Sequence, residues 1–315
     1  MVATTQEVLR QGSNRSELQV HRKLPSFAFT PMSIKPQPNL WQCGPFALKH
    51  ALVTLGIFAD EAAITKIART RASDGTDEHQ LERAARAFDC HLRTIRRHSP
   101  EAARSELLTF LRKGIPCLVC IYDWSHWITV VKAEQGNYIT LDSRDKAVLT
   151  ILSWSKLKNR WVYHEQDSRD KTHWERIYDF HPVVPRFRVK TKAKFSIARA
   201  HYLRRPENRA LALHWDRYVG DLLEICKPRT SLSRQVLSLG EFFRRHEGII
   251  LDQVDYWHGS IERRDAGRIL HHMHVVADTY GLVIHKEDEK RALAGITAIL
   301  ALWAAGERKV EKVYG

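Results

Sequence analysis

Apolar residues recur at two different periods along this chain, and the change of period organises it. In CGPFALKHALVTLG, Ala47, Leu48, Ala51, Leu52 and Leu55 fall three and four apart ahead of Gly56, which predicts a helix with a glycine stop. DEAAITKIART and DEHQLERAARAFD predict two more helices, divided by an Asp74-Gly75-Thr76 turn, and PEAARSELLTFLRKG predicts a fourth that again ends on glycine. The period then shortens. IPCLVCIYD, HWITVVKAE and NYITLDS are rich in Val, Ile, Tyr and Thr and are split by turn residues such as Gln135-Gly136-Asn137, so they predict strands of an antiparallel sheet. Pro182 and Pro185 read as a boundary. Past them come one strand-like stretch and four predicted helices, around 207–226, 237–256, 263–280 and 287–306. The expected layout is an N-terminal extension over 1–33, an α+β domain over 34–183, and a basic strand with a mostly helical domain over 184–315.

Composition narrows the class. With 315 residues and 43% apolar content the chain can bury a substantial core. The first thirty residues contain no apolar stretch of signal-peptide length, and Ile296 to Ala305 falls far short of the roughly 20 residues that span a bilayer. A soluble, cytoplasmic protein is expected. Five cysteines, Cys43, Cys90, Cys117, Cys120 and Cys226, form an odd set without repeated spacing, which argues for reduced thiols. Cys117 and Cys120 make a CxxC inside a predicted strand, where residues three apart point to opposite faces, so core packing is expected there instead of metal or redox chemistry.

The net charge of +14 is uneven, since residues 186–209 hold nine Lys or Arg against the single acid Glu207. In RFRVKTKAKF, Arg186, Arg188, Lys190, Lys192 and Lys194 share one parity while Phe187, Val189, Thr191, Ala193 and Phe195 share the other. On a strand that pattern puts five cations on one face and the apolar set opposite. Such a face protects an edge strand from aggregation. It also suits an acidic protein partner or substrate segment, and less well a nucleic acid, because no reader motif accompanies it.

The candidate chemistry centres on Cys43. It opens a helix, where the partial positive charge and free N–H groups favour a thiolate, and Pro45 fits the first helical turn. Gly44 leaves room for the backbone to approach a substrate carbonyl. Gln37 lies six residues upstream in an extended segment, from which its amide can return beside the thiol and donate to an oxyanion. His126 opens the predicted strand HWITVV, and Asp142 ends the next one sixteen residues later. A hairpin between those strands brings imidazole and carboxylate side by side, with the carboxylate orienting the ring. Taken singly, each has an ordinary structural role as a packed cysteine, a surface histidine and a turn aspartate. His50 is too far along the helix from Cys43 to bond to it. His271, His274 and Asp278 share one face of a late helix but lack a fourth ligand of suitable spacing, so no metal and no cofactor is expected.

From Gln37 to Asp142 the sequence resembles the bacteriocin-processing C39 peptidases, papain-like cysteine proteases. The shared motifs are Gln37, Cys43-Gly44, Gly75-Thr76, Gly114-Ile115-Pro116, His126-Trp127 and Asp142, in matching order and spacing. One departure is that Ser143-Arg144 follows Asp142 where the family usually has proline. The resemblance implies a papain-like domain of helices packed on an antiparallel sheet, and peptide cleavage through a thioester, often after small residues such as Gly-Gly. No transporter segment or P-loop accompanies it, so export-coupled leader removal does not follow. Three functions are compatible with these residues. The first is a cysteine peptidase acting on a peptide or protein substrate. The second is an acyltransferase or peptide ligase that passes the same thioester to an amine. The third is a non-enzymatic binding module, against which the complete set of catalytic residue types argues. Oligomeric state is left open.

Overall fold

Four helices and five strands follow one another through the first half of the chain: α1 (Cys43–Thr54), α2 (Glu61–Ala68), α3 (Glu78–Ala87), β1 (Cys90–Leu92), β2 (Ile95–Arg97), α4 (Pro100–Arg112), β3 (Cys117–Ile121), β4 (His126–Glu134) and β5 (Asn137–Leu141). The sheet is completed by β6 (Leu149–Ser153), α5 (Trp154–Trp161), β7 (Tyr163–Gln166) and β8 (Trp174–Pro185). Helices α6 (Ile197–Leu203), α7 (Arg209–Leu213) and α8 (Trp215–Cys226) come next, then β9 (Val236–Ser238), α9 (Leu239–Trp257), α10 (Arg263–Tyr280), β10 (Val283–His285) and α11 (Glu289–Glu307). The computed structural model describes residues 40–145, 147–166, 172, 174–228, 235–259 and 261–307; the expected 1–33 extension and Gln37 lie outside them. Ile34–Gly315 is one unit and Met1–Ser33 another.

Local chemistry sets the helix ends. Asp60 caps α2 by accepting from the Ala63 N–H at 2.6 Å. Asp77 and Gln80 form a reciprocal capping box at α3 (2.7 and 3.0 Å). Ser99 caps α4, with Pro100 in its first turn. Every residue of α1 is buried, including Lys49 and His50, so this helix has no solvent face.

The sheet is antiparallel and runs β1-β8-β3-β4-β5-β6, with β2 and β7 also on β8. Strands β3 to β5 form the expected meander. β8 adds an element to the sequence reading, because Pro182 lies inside this interior strand and Pro185 is its last residue. The register explains how a proline is tolerated there. Leu92 pairs with Val183 and Ile95 with Phe180, so Pro182 faces the interruption between β1 and β2, where its missing N–H forfeits no ladder bond. Its carbonyl accepts the Arg93 N–H at 3.4 Å.

Helices α1 to α3 pack on one face of the sheet through Leu118, Cys120, Trp127 and Val183; α4 and α5 pack on the other through Cys117, Val119, Ile128 and Phe180. Cys117 and Cys120 thus serve opposite layers, as strand alternation requires. The helices after β8 enclose a third cluster that takes in Val53 of α1 and Val131, Ile139, Leu141 and Leu149 of the sheet. The expected first helix of this part, around 207–226, is divided at His214 into α7 and α8. Among the described residues no helix is long and apolar enough to cross a membrane.

Residues 186–195 are not the predicted strand. They form an irregular strap, because their bonds go to the ends of helices and loops and not to a ladder. The Arg186 N–H donates to Asp89 O (2.9 Å), the Thr191 hydroxyl to Thr54 O (2.9 Å) and the Lys194 N–H to Thr279 O (2.8 Å). The alternation survives as one-sided docking, with Thr191 and Phe195 buried, Val189 half-buried, and Arg186, Arg188, Lys190, Lys192 and Lys194 exposed. Phe187 and Ala193 depart from it by remaining exposed.

The strap presses on Gly281, the left-handed residue (φ 65°) that ends α10, where a β-carbon would overlap the Lys192 backbone. Gly281→Ala should therefore destabilise the protein by about 1–3 kcal/mol, read as a lower melting temperature. Gly248→Ala, inside α9 with open space beside it, should stabilise by about 0.5–1 kcal/mol. Equal melting temperatures for the two variants would contradict this packing.

Candidate active site

Cys43 is the first residue of α1, and no side chain caps that end, since Gln42 makes no capping bond. The first N–H groups of the helix therefore stay available beside the sulfur. Gly44 has a packing role as well. A β-carbon there would come within 2.9 Å of Thr76, so its bareness lets α1 seat against the Gly75-Thr76 turn. The Trp127 indole N–H donates to Thr76 O (2.8 Å), and the Thr129 hydroxyl donates to Ala47 O (2.6 Å). The second bond pins α1 to β4, the strand that His126 opens, and the first pins the Gly75-Thr76 turn to the same strand.

Asp142 follows directly on β5, next to β4 in the sheet, and the His126 Nε2–H donates to its Oδ1 at 2.6 Å. The loop beyond is tied back: the Asp142 N–H donates to Val148 O (2.8 Å), and the Arg144 N–H donates to the same Oδ1 (3.0 Å). The Ser143-Arg144 departure from the family motif thus leaves the carboxylate on the imidazole. The other ring nitrogen, Nδ1, is buried without a hydrogen-bond partner among the described residues, and the ring and the Cys43 thiol shift one another electrostatically. Cys43, His126 and Asp142 are 6%, 0% and 8% exposed.

Each of the three groups is shifted toward its charged form. Burial alone would raise the Cys43 thiol, but the His126 ring and its charge, the Trp127 N–H and the Arg144 charge outweigh it and hold it below the ordinary thiol value. For His126, burial opposes protonation, and the bond to Asp142 and the charges of Asp142 and Cys43 overcome it, so the imidazole lies above its usual range. Asp142 is likewise held low against burial by His126 and by the Arg144 N–H and charge. The other thiols go the opposite way. Burial pushes Cys90 and Cys120 up to about 12 and raises Cys117 and Cys226 as well.

Two local contributors escape a reading of the sequence. Arg144 supplies both an N–H and a positive charge, and only its place after Asp142 hinted at it. Tyr122, Asp123 and Trp124, just before His126, are three consecutive non-glycine residues in the left-handed region (φ 56°, 52° and 59°). Such backbone persists only where surroundings over-determine it. Here the Tyr122 N–H donates to Arg160 O (2.7 Å), and Trp124 stacks on Tyr163 with ring centroids 3.9 Å apart. No sequence signature marks a left-handed turn built without glycine.

Other candidates lie elsewhere. His50 is buried within α1, 2.7 Å from the Tyr280 hydroxyl and 3.1 Å from Asp216. His271 meets the Tyr202 hydroxyl, and Asp278 pairs with Lys194 and Arg199. No group of three or more metal-binding side chains occurs among the described residues. Of the five strap cations, Lys190 and Lys192 flank Thr191, which rests on Thr54, eleven residues and roughly 16 Å along α1 from Cys43.

No family model matches the sequence, and no curated protein matches it. Among solved structures the chain is similar to the peptidase domain of Streptococcus ComA, a bi-functional ABC transporter involved in a quorum sensing pathway. That similarity has 16% identity and a TM-score of 0.35, and covers 48% of this chain and 97% of that one. It is also similar to a double glycine motif protease from an AMS/PCAT transporter, in complex with the leader peptide, with 15% identity, a TM-score of 0.34, and 46% and 88% coverage. Both are peptidase domains, and each similarity spans a little under half of this chain.

Proposed function

We propose that Cys43, His126 and Asp142 form the catalytic triad of a papain-like cysteine peptidase. The observation that carries this is the 2.6 Å bond from His126 to Asp142, which commits Nε2 and leaves Nδ1 to a buried thiol at a helix start. The opposite displacements of Cys43 and His126 favour a thiolate–imidazolium pair. The thiolate attacks a peptide carbonyl, forming a C–S bond. As the C–N bond breaks, the imidazolium gives its Nδ1 proton to the leaving amine. Water, deprotonated by the now neutral imidazole, then cleaves the thioester and releases the acid. Asp142 holds the ring oriented through both steps. The Cys43 N–H, with the amide of Gln37, receives the oxyanion in this scheme. The motif resemblance makes a pair of small residues before the scissile bond the first sequence to test.

Three outcomes check this reading. Iodoacetamide should alkylate Cys43 ahead of the other four thiols, with a rate that rises through a pH midpoint below the ordinary thiol value. The midpoint should move upward in His126→Ala; an unchanged midpoint would remove His126 from the pair. Cleavage of a peptide library, followed by mass spectrometry, should fall by roughly 10³-fold or more in Cys43→Ala and by roughly 10²–10⁴-fold in Asp142→Asn. Wild-type cleavage equal to that of Cys43→Ala would overturn the assignment, and mass added to an amine acceptor would redirect it to transfer. The pH profile of kcat/KM should be bell-shaped. Its acid limb falls as the thiolate is protonated, below the ordinary thiol range, and its alkaline limb falls as the imidazolium is lost, above the ordinary imidazole range. Asp142→Asn should move the alkaline limb down.

A further inference from the structure

A cavity of about 550 Å³ lies at the opposite end of α1 from Cys43, where Thr54 and Leu55 form part of its wall. Four cationic side chains line it: Arg112 and Lys113 from the end of α4, Lys132 from β4 and Lys192 from the strap. Its lining contains no aspartate or glutamate, and none of the four cations has an acidic partner among the described residues. The backbone is arranged to gather them. The β4–β5 register shifts between Val130 and Lys132, and the two consecutive residues Val131 and Lys132 both reach the cavity, whereas an undistorted strand would send one of them to the other face. Between the cations the wall is apolar, formed by Val131, Val184, Val189 and Phe195.

We propose that this cavity binds an organic di- or triphosphate. The four cations are exposed, so water screens their mutual repulsion, and what favours a ligand is their convergence on one small space whose lining carries no acid, which suits a compact group with several negative charges. A phosphate chain provides them with acceptor oxygens for the Arg112 fork and the lysine ammonium groups. The apolar wall takes the organic body, and the volume lies in the range of small-molecule sites. This site stands apart from the thiol chemistry and does not rest on it.

Isothermal titration of the full chain at physiological ionic strength tests the assignment, with ATP, ADP, AMP, adenosine, tripolyphosphate and hexaglutamate as probes. Affinity should rise from AMP to ATP, adenosine should not bind, and tripolyphosphate should bind more weakly than ATP. Lys113→Glu/Lys192→Glu should weaken ATP by about tenfold or more. Arg188→Glu/Lys190→Glu, which changes strap cations outside the cavity lining, should alter it by less than about threefold. Melting temperatures of both variants establish that they are folded. Equal losses in the two variants would reduce the site to diffuse surface charge, and absence of ATP binding, or preference for hexaglutamate, would overturn the proposal.

Discussion

The constraint on which this structure depends is the complete burial of α1. A helix without a solvent face must satisfy every polar group it carries, and this one carries Lys49 and His50 at its centre. Lys49 lies 3.0 Å from Glu61 and 3.8 Å from Asp216, and His50 lies 3.1 Å from Asp216 and 2.7 Å from the Tyr280 hydroxyl. Asp216 begins in α8 and Tyr280 ends α10, so the later helices supply what the first helix cannot satisfy alone. Lys49 stays charged because Asp216 and Glu61 outweigh the burial that would lower it, and Asp216 is held low by His50 and Lys49 in return. The apolar cluster that joins Val53 to the C-terminal helices follows the same path.

A fixed helix gives the thiol a fixed position. Cys43 and Cys120 both belong to the layer between α1 and the sheet, yet their thiols move in opposite directions. Burial acts on both. What distinguishes Cys43 is its helix start, the His126 ring and the Arg144 charge, while Cys120 has chiefly its desolvated surroundings. The direction of a buried thiol's shift therefore depends on its partners and not on its exposure. At the far end of α1 the same rigidity forms part of the wall of the basic cavity.

Much of this was legible in the sequence. The helices α1 to α4 and the meander of β3 to β5 follow from apolar periods, glycine stops and turn residues, while picking out Cys43, His126 and Asp142 took the family resemblance as well as the hairpin spacing. What escaped depends on tertiary partners. β8 was hidden because Pro182 and Pro185 resemble breakers, and only the interrupted pairing of β1 and β2 shows why an interior strand accepts one. The strap alternates like a strand because it docks on one side, yet periodicity cannot distinguish docking on helix ends from pairing in a ladder. Gly44 reads in sequence as room beside the thiol, and its close seating on Thr76 shows only in the fold. Arg112, Lys113 and Lys132 are ordinary surface cations in sequence and converge only in the fold.

The protonation state of His126 tests the central claim most directly. In protein labelled with nitrogen-15 at histidine, NMR at neutral pH should show both ring nitrogens of His126 protonated, with a strongly downfield proton on the nitrogen bonded to Asp142. Replacing the thiol by Cys43→Ser should lower the pH at which that second proton is lost, because the thiolate no longer holds it. A neutral His126 ring at that pH, titrating identically with and without the sulfur, would contradict the thiolate–imidazolium pair.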